Sequence, residues 1–317
     1  MRRKTSEPGT RGTAAASIDV QTVEAFTEAA QSISTRRSYA QAVRHFEANG
    51  GRIGATPKMV AKYLAACAGT LAVATLEHRL VAIHRAHVEA GLPSPVRDRL
   101  VLRTMQGIRR SLGSAQRQVQ ALVKDDLLEL LIAVGQQKPL RAARDKALLL
   151  IGFAGAFRRS ELVALRTDDV TVYPHGIELR IRRSKTDQEG AGRTVFVPFA
   201  SVDERCPVLA LARWRELAGI ERGPLFRGVS RHDLVVGEGA LTPQSVALVI
   251  KAAMRVARGG EASKLVSGHS LRAGFVTEAA TVGLRNSAIM GQTGHKSLEM
   301  VYRYIRPVQR RQLTSLL

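Results

Sequence analysis

At 317 residues, with 45% hydrophobic and only 4% aromatic side chains, the chain is long enough for two modest domains of packed helices. Its 48 Lys and Arg against 27 Asp and Glu leave a formal charge of +21, spread along the sequence, which points to a polyanionic partner but says nothing of catalysis. The cysteines, Cys67 and Cys206, lie far apart without CxxC or Cys/His spacing, no apolar run reaches the ~20 residues of a membrane span, and no signal-peptide core follows the basic start. A disulfide framework, a zinc site and an exported or membrane protein are therefore not expected, and the cytoplasm is the expected compartment.

Residues 1–17 mix Arg, Lys, Gly, Thr and Ala without periodicity and read as a flexible basic tail. Residues 18–112 carry a helical pattern. One segment starts near Ser34 and runs through Tyr39, Val43 and Phe46 to Gly50-Gly51. A second opens with Thr56 as cap and Pro57 in its first turn, and a third keeps Leu76, Leu80, Ile83 and Val88 at helical spacing before Gly91 and Pro93. With basic residues on the remaining faces, a bundle of four or five helices is expected.

Residues 113–121 are polar and aperiodic, the pattern of an interdomain linker. From there a second domain is expected over 122–306. Asp125 and Asp126 suit the first turn of a helix, and a further helix continues from Leu140 through Leu150. Between 170 and 198 the pattern becomes β-like: runs at 170–172, 177–181 and 194–197, separated by Pro174-His175-Gly176 and by Gly190 and Gly192, predict a small antiparallel sheet. Helices are predicted again at 207–218, at 242–257 behind Thr242-Pro243, and across 270–305, with Ser270 as a candidate cap.

Several chemistry-bearing residues fall in this second half. His269 and Arg272 stand three apart, the spacing at which an imidazole and a guanidinium share a helix face; alone, the pair better describes a surface histidine beside an arginine. Arg158 sits between an apolar helix and Ser160-Glu161, where its fork could serve a phosphate while Glu161 fixes it or a neighbour; alternatively Arg158 and Arg159 form a solvated pair. Lys185 lies in the predicted hairpin turn, from which a long ammonium could reach into a groove or simply meet solvent. The last box, GHKSLEMVYRYIRP, holds His295, Tyr302 and Tyr304. A tyrosine can attack a phosphodiester when the phosphate charge is neutralised and a base takes its proton. Two residues apart on a helix, the tyrosines point roughly 200° from each other, so only one can face a site.

The set Arg158, Lys185, His269, Arg272, His295 and Tyr304, in that order, resembles the active site of the tyrosine site-specific recombinases, the phage integrase family. The box around Arg158 is similar to the family's G-L-R-x-S-E-L, with Phe157 in place of Leu. HSLRAG resembles its H-x-L-R-H or H-S-x-R-x-G box, and TGHKS its L-G-H-x-S box. Tyr304 stands nine residues after His295, the family's usual interval, and Tyr302 only seven. The joint match covers residues 145–306. SGHSLRAG, Ile289-Met290, YRYIRP and an Arg-bearing helix followed by AGLPSP lean toward the Cre-like subgroup, from which His295 departs, since tryptophan is the choice there.

The resemblance implies a mainly α fold with a small antiparallel sheet. An N-terminal helical core-binding domain of SAM-like type and a DNA breaking-rejoining catalytic domain would clamp duplex DNA. No separate arm-binding domain is expected before residue 18. By the same resemblance Arg158 and Arg272 hold the scissile phosphate, Tyr304 forms a 3′-phosphotyrosine, Lys185 protonates the leaving oxygen, His269 assists proton transfer, His295 bonds the phosphate and Glu161 buttresses the site. It implies no cofactor and no metal. The partners it implies are double-stranded DNA with inverted-repeat core sites and a homotetramer assembled on two such sites, exchanging strands through a Holliday junction for integration, excision or resolution. The motifs name neither a target sequence nor an accessory protein.

Two rivals use the same residues: a type IB topoisomerase, which would relax DNA without exchanging partners, and a DNA-binding regulator with a decayed catalytic domain. The intact residue set speaks against decay. Val308, Leu313, Leu316 and Leu317 predict one apolar face on a final helix, 307–317, which the resemblance implies docks on a neighbouring protomer, the alternative being that it folds back in cis. Deleting residues 307–317 should leave single-site DNA binding intact and lower two-site recombination; an unchanged recombination yield would defeat the docking role.

Overall fold

The computed structural model describes residues 25–26, 30–114, 119–184, 192–302 and 304, so the basic tail, Lys185 and the final helix lie outside the described residues. The chain divides into two compact units, 1–117 and 118–317.

The first unit is built from α1 (Ile33–Ala48), α2 (Pro57–Cys67), α3 (Val73–Glu89) and α4 (Arg99–Leu112). Short-range chemistry sets their ends: the Ser32 hydroxyl accepts from Thr35 N, Thr56 from Met59 N behind Pro57, and the Asp98 carboxylate from Leu100 N at 2.7 Å. Their core joins Phe46, Val60, Leu64, Leu76, Ile83, Val101 and Met105. On α4 the residues Val101, Met105 and Ile108 are buried, while Arg99, Arg103, Arg109 and Arg110 are exposed around them. Helix and cation placement thus come from one periodicity.

His87, fully buried, ties α3 to the α1–α2 connection. Its Nδ1–H donates to Ile83 O at 2.7 Å, which leaves Nε2 to accept from the backbone N–H groups of Gly54 and Ala55, each at 3.1 Å.

The second unit holds α5 (Lys124–Gly135), α6 (Pro139–Ala154), α7 (Arg159–Ala164), α8 (Pro207–Leu217), α9 (Pro243–Leu265), α10 (Ser270–Thr281) and α11 (Asn286–Thr293), with residues 298–302 and 304 again helical. The expected sheet forms from β1 (Val170–Tyr173), β2 (Gly176–Ile181) and β3 (Arg193–Pro198), antiparallel in the order β1-β2-β3. Its register pairs Leu179 with Val195 and Ile177 with Val197, so these side chains share the buried face. The core centres on α6, where Leu148, Leu149 and Ile151 are fully buried, and on Trp214, whose Nε1–H donates to Leu225 O at 2.7 Å.

The mainly α fold with a small antiparallel sheet stands; several boundaries differ. The continuous helix expected over 270–305 is broken, with Gly283 (φ +76°) and Gly294 (φ +66°) taking left-handed conformations that stop α10 and α11. Ser270 does not cap α10: His269 is the cap residue, and the Ser270 hydroxyl instead accepts from Ser267 N at 3.0 Å. The helix expected to stop near 257 runs on to Leu265 across a break at Gly259.

A second hairpin, β4 (Arg227–Val229) with β5 (Val236–Ala240), has no counterpart in the sequence pattern, its strands being too short to show alternation. Its turn residue Asp233 adopts φ +66° and accepts from Leu140 N and Arg141 N at 2.8 and 3.0 Å, capping α6 from 93 residues away. The tail of the predicted linker is already bound into this unit. Gln120 N donates to Leu265 O and Leu122 N to Ser270 O, and a Cβ on Gly274 would collide with the Leu122 carbonyl. Gly274 is thus required where this segment crosses α10.

Replacing His87 with Ala should destabilise the protein by roughly 2–4 kcal/mol, through a cavity plus two unmatched backbone donors, read as a lower urea midpoint. A loss under about 1 kcal/mol would mean that water replaces the imidazole at no cost.

Candidate active site

Each site residue is placed by a chain break. Helix α6 ends at Ala154, and Ala156, fully buried, takes φ +48°, a conformation a non-glycine residue rarely holds. Beyond it Arg158 occupies the cap position of α7. Glu161, whose side chain has no exposure, accepts from Arg158 N at 3.0 Å through Oε2 and from Arg158 Nη1 at 2.6 Å through Oε1. The Arg158 side chain is only 16% exposed, which removes the reading of Arg158 and Arg159 as a solvated pair.

Arg272, on the first turn of α10, is 1% exposed. Its Nη1 donates to the strained Ala156 carbonyl at 2.8 Å, while Nε and Nη2 have no partner among the described residues. A buried guanidinium with two unmet donors is costly unless an anion completes it.

His269 and Arg272 do converge, and the C-terminal box meets them. His269 Nε2 lies 2.5 Å from the Tyr304 hydroxyl. The His295 ring is stacked on Tyr304 at 6.3 Å between centroids. Thr293 Oγ1 donates to Ile289 O at 2.7 Å, so its oxygen accepts from His295 Nδ1–H at 2.9 Å and leaves Nε2 of the neutral ring as an acceptor. Tyr302 packs half-buried against Val276, Ala279, Ile289 and Val301. Arg158, Glu161, His269, Arg272, His295 and Tyr304 are therefore drawn together, while Lys185 falls in the connection between β2 and β3, outside the described residues.

Sequence reasoning missed Arg193, the first residue of β3. Its Nη2 lies 3.3 Å from Glu161 Oε2 and its Nη1 donates to Gln292 O at 2.8 Å. A signal did exist: Arg193 shares the strand parity of Val195 and Val197, so a charge occupies the core-facing register. Thr293, which orients His295, carried no such mark.

Burial, reinforced by the accumulated positive charge, governs titration. Burial, then the fields of Arg272 and Arg158, hold His269 below its ordinary value, and the same causes push His295 down to about 3. Burial first and Arg158 second lower Arg272 to about 10, so it stays cationic at neutral pH. Both imidazoles are thus neutral before DNA arrives, and a phosphodiester entering among them raises their proton affinity again.

Comparison with known proteins identifies the family. The phage integrase family model matches residues 120–311. This chain belongs to the phage integrase family of tyrosine site-specific recombinases. It is 39% identical over 254 residues to an integrase/recombinase XerD homolog of Selenomonas ruminantium, covering 79% of this chain and 73% of that one. To the recombinase Cre of Escherichia phage P1 it is 25% identical over 250 residues, covering 74% and 71%, the smaller likeness of the two.

Among solved structures, a lambda integrase dimer bound to a core site matches with a TM-score of 0.63 at 17% identity, over 94% of this chain and 78% of that one. A DNA-bound XerH recombinase in a post-cleavage complex matches at 0.59 and 19%, over 81% and 70%. These likenesses establish the recombinase fold.

Because burial disfavours the imidazolium, His269 stays a neutral proton acceptor into mildly acid solution. The acid limb of the DNA-cleavage rate at limiting DNA should therefore lie below pH 6.5, the ordinary histidine value. A limb at or above that value would rule out neutral His269 as the acceptor.

Proposed function

We propose that this recombinase cleaves duplex DNA by attack of the Tyr304 oxygen on the scissile phosphorus. The Tyr304 O–P bond forms as the P–O5′ bond breaks, leaving a 3′-phosphotyrosine and a free 5′-hydroxyl. The reading rests above all on buried Arg272, whose unmet Nε and Nη2 donors lie in the same cluster as the His269–Tyr304 pair. Arg272 and Arg158 hold the non-bridging oxygens and offset charge as the pentavalent state develops, with Glu161 fixing Arg158. His269 takes the Tyr304 proton and Lys185 supplies the proton to the departing 5′-oxygen. His295, stacked beside Tyr304, hydrogen-bonds the phosphate.

The phosphotyrosine keeps the energy of the broken ester, so an incoming 5′-hydroxyl can restore the backbone without ATP. The guanidiniums do the charge work that metal ions do in other phosphoryl-transfer enzymes. Among the described residues no group of three or more His, Cys, Asp or Glu could hold a metal ion, and no helix is long and apolar enough to cross a membrane.

The substrate of this reading is double-stranded DNA carrying inverted-repeat core sites. Residues 18–112 form its N-terminal core-binding domain and 122–306 its catalytic domain, joined by the linker at 113–121. Four protomers assemble on two sites in the cytoplasm, exchange strands through a Holliday junction and cleave in cis. A lambda integrase tetramer bound to a Holliday junction, matching at a TM-score of 0.60 and 17% identity over 90% of this chain and 75% of that one, supports such an assembly.

Incubation with a nicked suicide duplex of the element's own flanking DNA, in excess EDTA, should trap a covalent adduct whose peptide maps to Tyr304. An adduct on Tyr302, the absence of any adduct, or abolition of cleavage by the chelator would overturn the mechanism. A two-site recombination assay beside a supercoil-relaxation assay separates recombination from a topoisomerase activity.

A further inference from the structure

The Arg193 guanidinium is held through both terminal nitrogens, while its buried Nε has no partner among the described residues. Its Nη2 shares Glu161 Oε2 with the Arg158 backbone N–H, and its Nη1 takes the Gln292 carbonyl at the C-terminal end of α11. A Cβ on Gly294 would stand 2.7 Å from its Nε, so the side chain lies flat against the turn that ends α11. Gln292 is pinned on its other side as well, its Nε2 donating to Ala154 O at 2.8 Å and Phe196 O at 3.0 Å. His295 is the next residue after Gly294.

We propose that Arg193 is a positioning residue of the cleavage centre, bridging the carboxylate that fixes Arg158 to the turn that presents His295. A planar guanidinium can satisfy a carboxylate and a helix-end carbonyl simultaneously, and its charge complements the negative end of α11. Without it, all of Glu161's charge falls on Arg158, whose fork is drawn away from the phosphate. Gln292 O then loses its charged partner, and the turn holding His295 loosens. Arg193 begins β3, the strand that leads out of the connection bearing Lys185, so the same anchor fixes one end of that connection.

The inference rests on the reading of this cluster as the DNA-cleaving centre, and wild-type protein separates the two: no Tyr304 adduct in wild type unseats that reading, not this one alone. With the full chain at saturating concentration on the suicide duplex, Arg193→Gln should cleave roughly 100-fold more slowly, the scale of a small misplacement of reacting groups. DNA affinity, measured by fluorescence anisotropy, should remain that of wild type. Arg193→Lys should recover part of the rate, since an ammonium can reach Glu161 or the Gln292 carbonyl but not span both.

The His295 imidazole, followed by NMR, should titrate differently in both variants although neither touches its ring. If Arg193→Gln fails to fold, Arg193→Lys carries the test alone, and a wild-type rate in it overturns the proposal. Equal rates in wild type and Arg193→Gln, or a loss of affinity that accounts for the slower cleavage, would also overturn it; the latter would make Arg193 a substrate contact.

Discussion

The buried carboxylate of Glu161, shared between Arg158 and Arg193, is the interaction on which the catalytic unit depends. Three guanidiniums, those of Arg158, Arg193 and Arg272, converge in a region mostly closed to water, and like charges so placed repel strongly unless a counter-charge joins them. Glu161 offsets one of the three. Burial, with the remaining imbalance added to it, lowers the proton affinity of both imidazoles, and Arg272 keeps two unmet donors among the described residues. A cluster so charged favours an anion, and in the proposed mechanism phosphodiester binding and stabilisation of a more negative transition state would share one electrostatic origin.

Backbone features serve that charge cluster. Ala156 holds a left-handed conformation while its carbonyl takes the Arg272 Nη1 donor, so strain and cation placement occur at the same peptide. Gly274 lets the segment at Leu122 lie against α10 directly behind the HSLR box, and the Leu122–Ser270 hydrogen bond fastens it there. The segment at Leu122 thus enters the second unit beside His269 and Arg272.

Much of this was legible from the chain. The three-stranded sheet announced itself through β-branched runs and glycines between them, and Thr56-Pro57 and Thr242-Pro243 marked helix starts because capping is settled within four residues. The chemistry-bearing residues were legible as a set because each lies in a short box of its own. What escaped shared a different character. The Asp233 cap on α6 depends on a partner about ninety residues away, which no local pattern encodes, and the β4–β5 strands are too short to show alternation. The breaks inside 270–305 were masked by helical composition on both sides, although Gly283 and Gly294 were the visible stops. Arg193 belongs to no motif, and only its parity with Val195 and Val197 betrayed that it faces inward.

By itself, then, the sequence determined the kinds of groups available, their order, the local elements that carry them and the polyanion they await, because residue chemistry, capping and periodicity are short-range. Only the tertiary structure decided which groups meet. Arg272 reaches the Ala156 carbonyl across 116 residues and Arg193 reaches Glu161 across 32. In space the Tyr304 hydroxyl meets His269, although both tyrosines pack against the cluster of Val276, Ala279, Ile289 and Val301. Burial and the summed field of distant charges then set the protonation of the site, and neither quantity exists until the chain has folded.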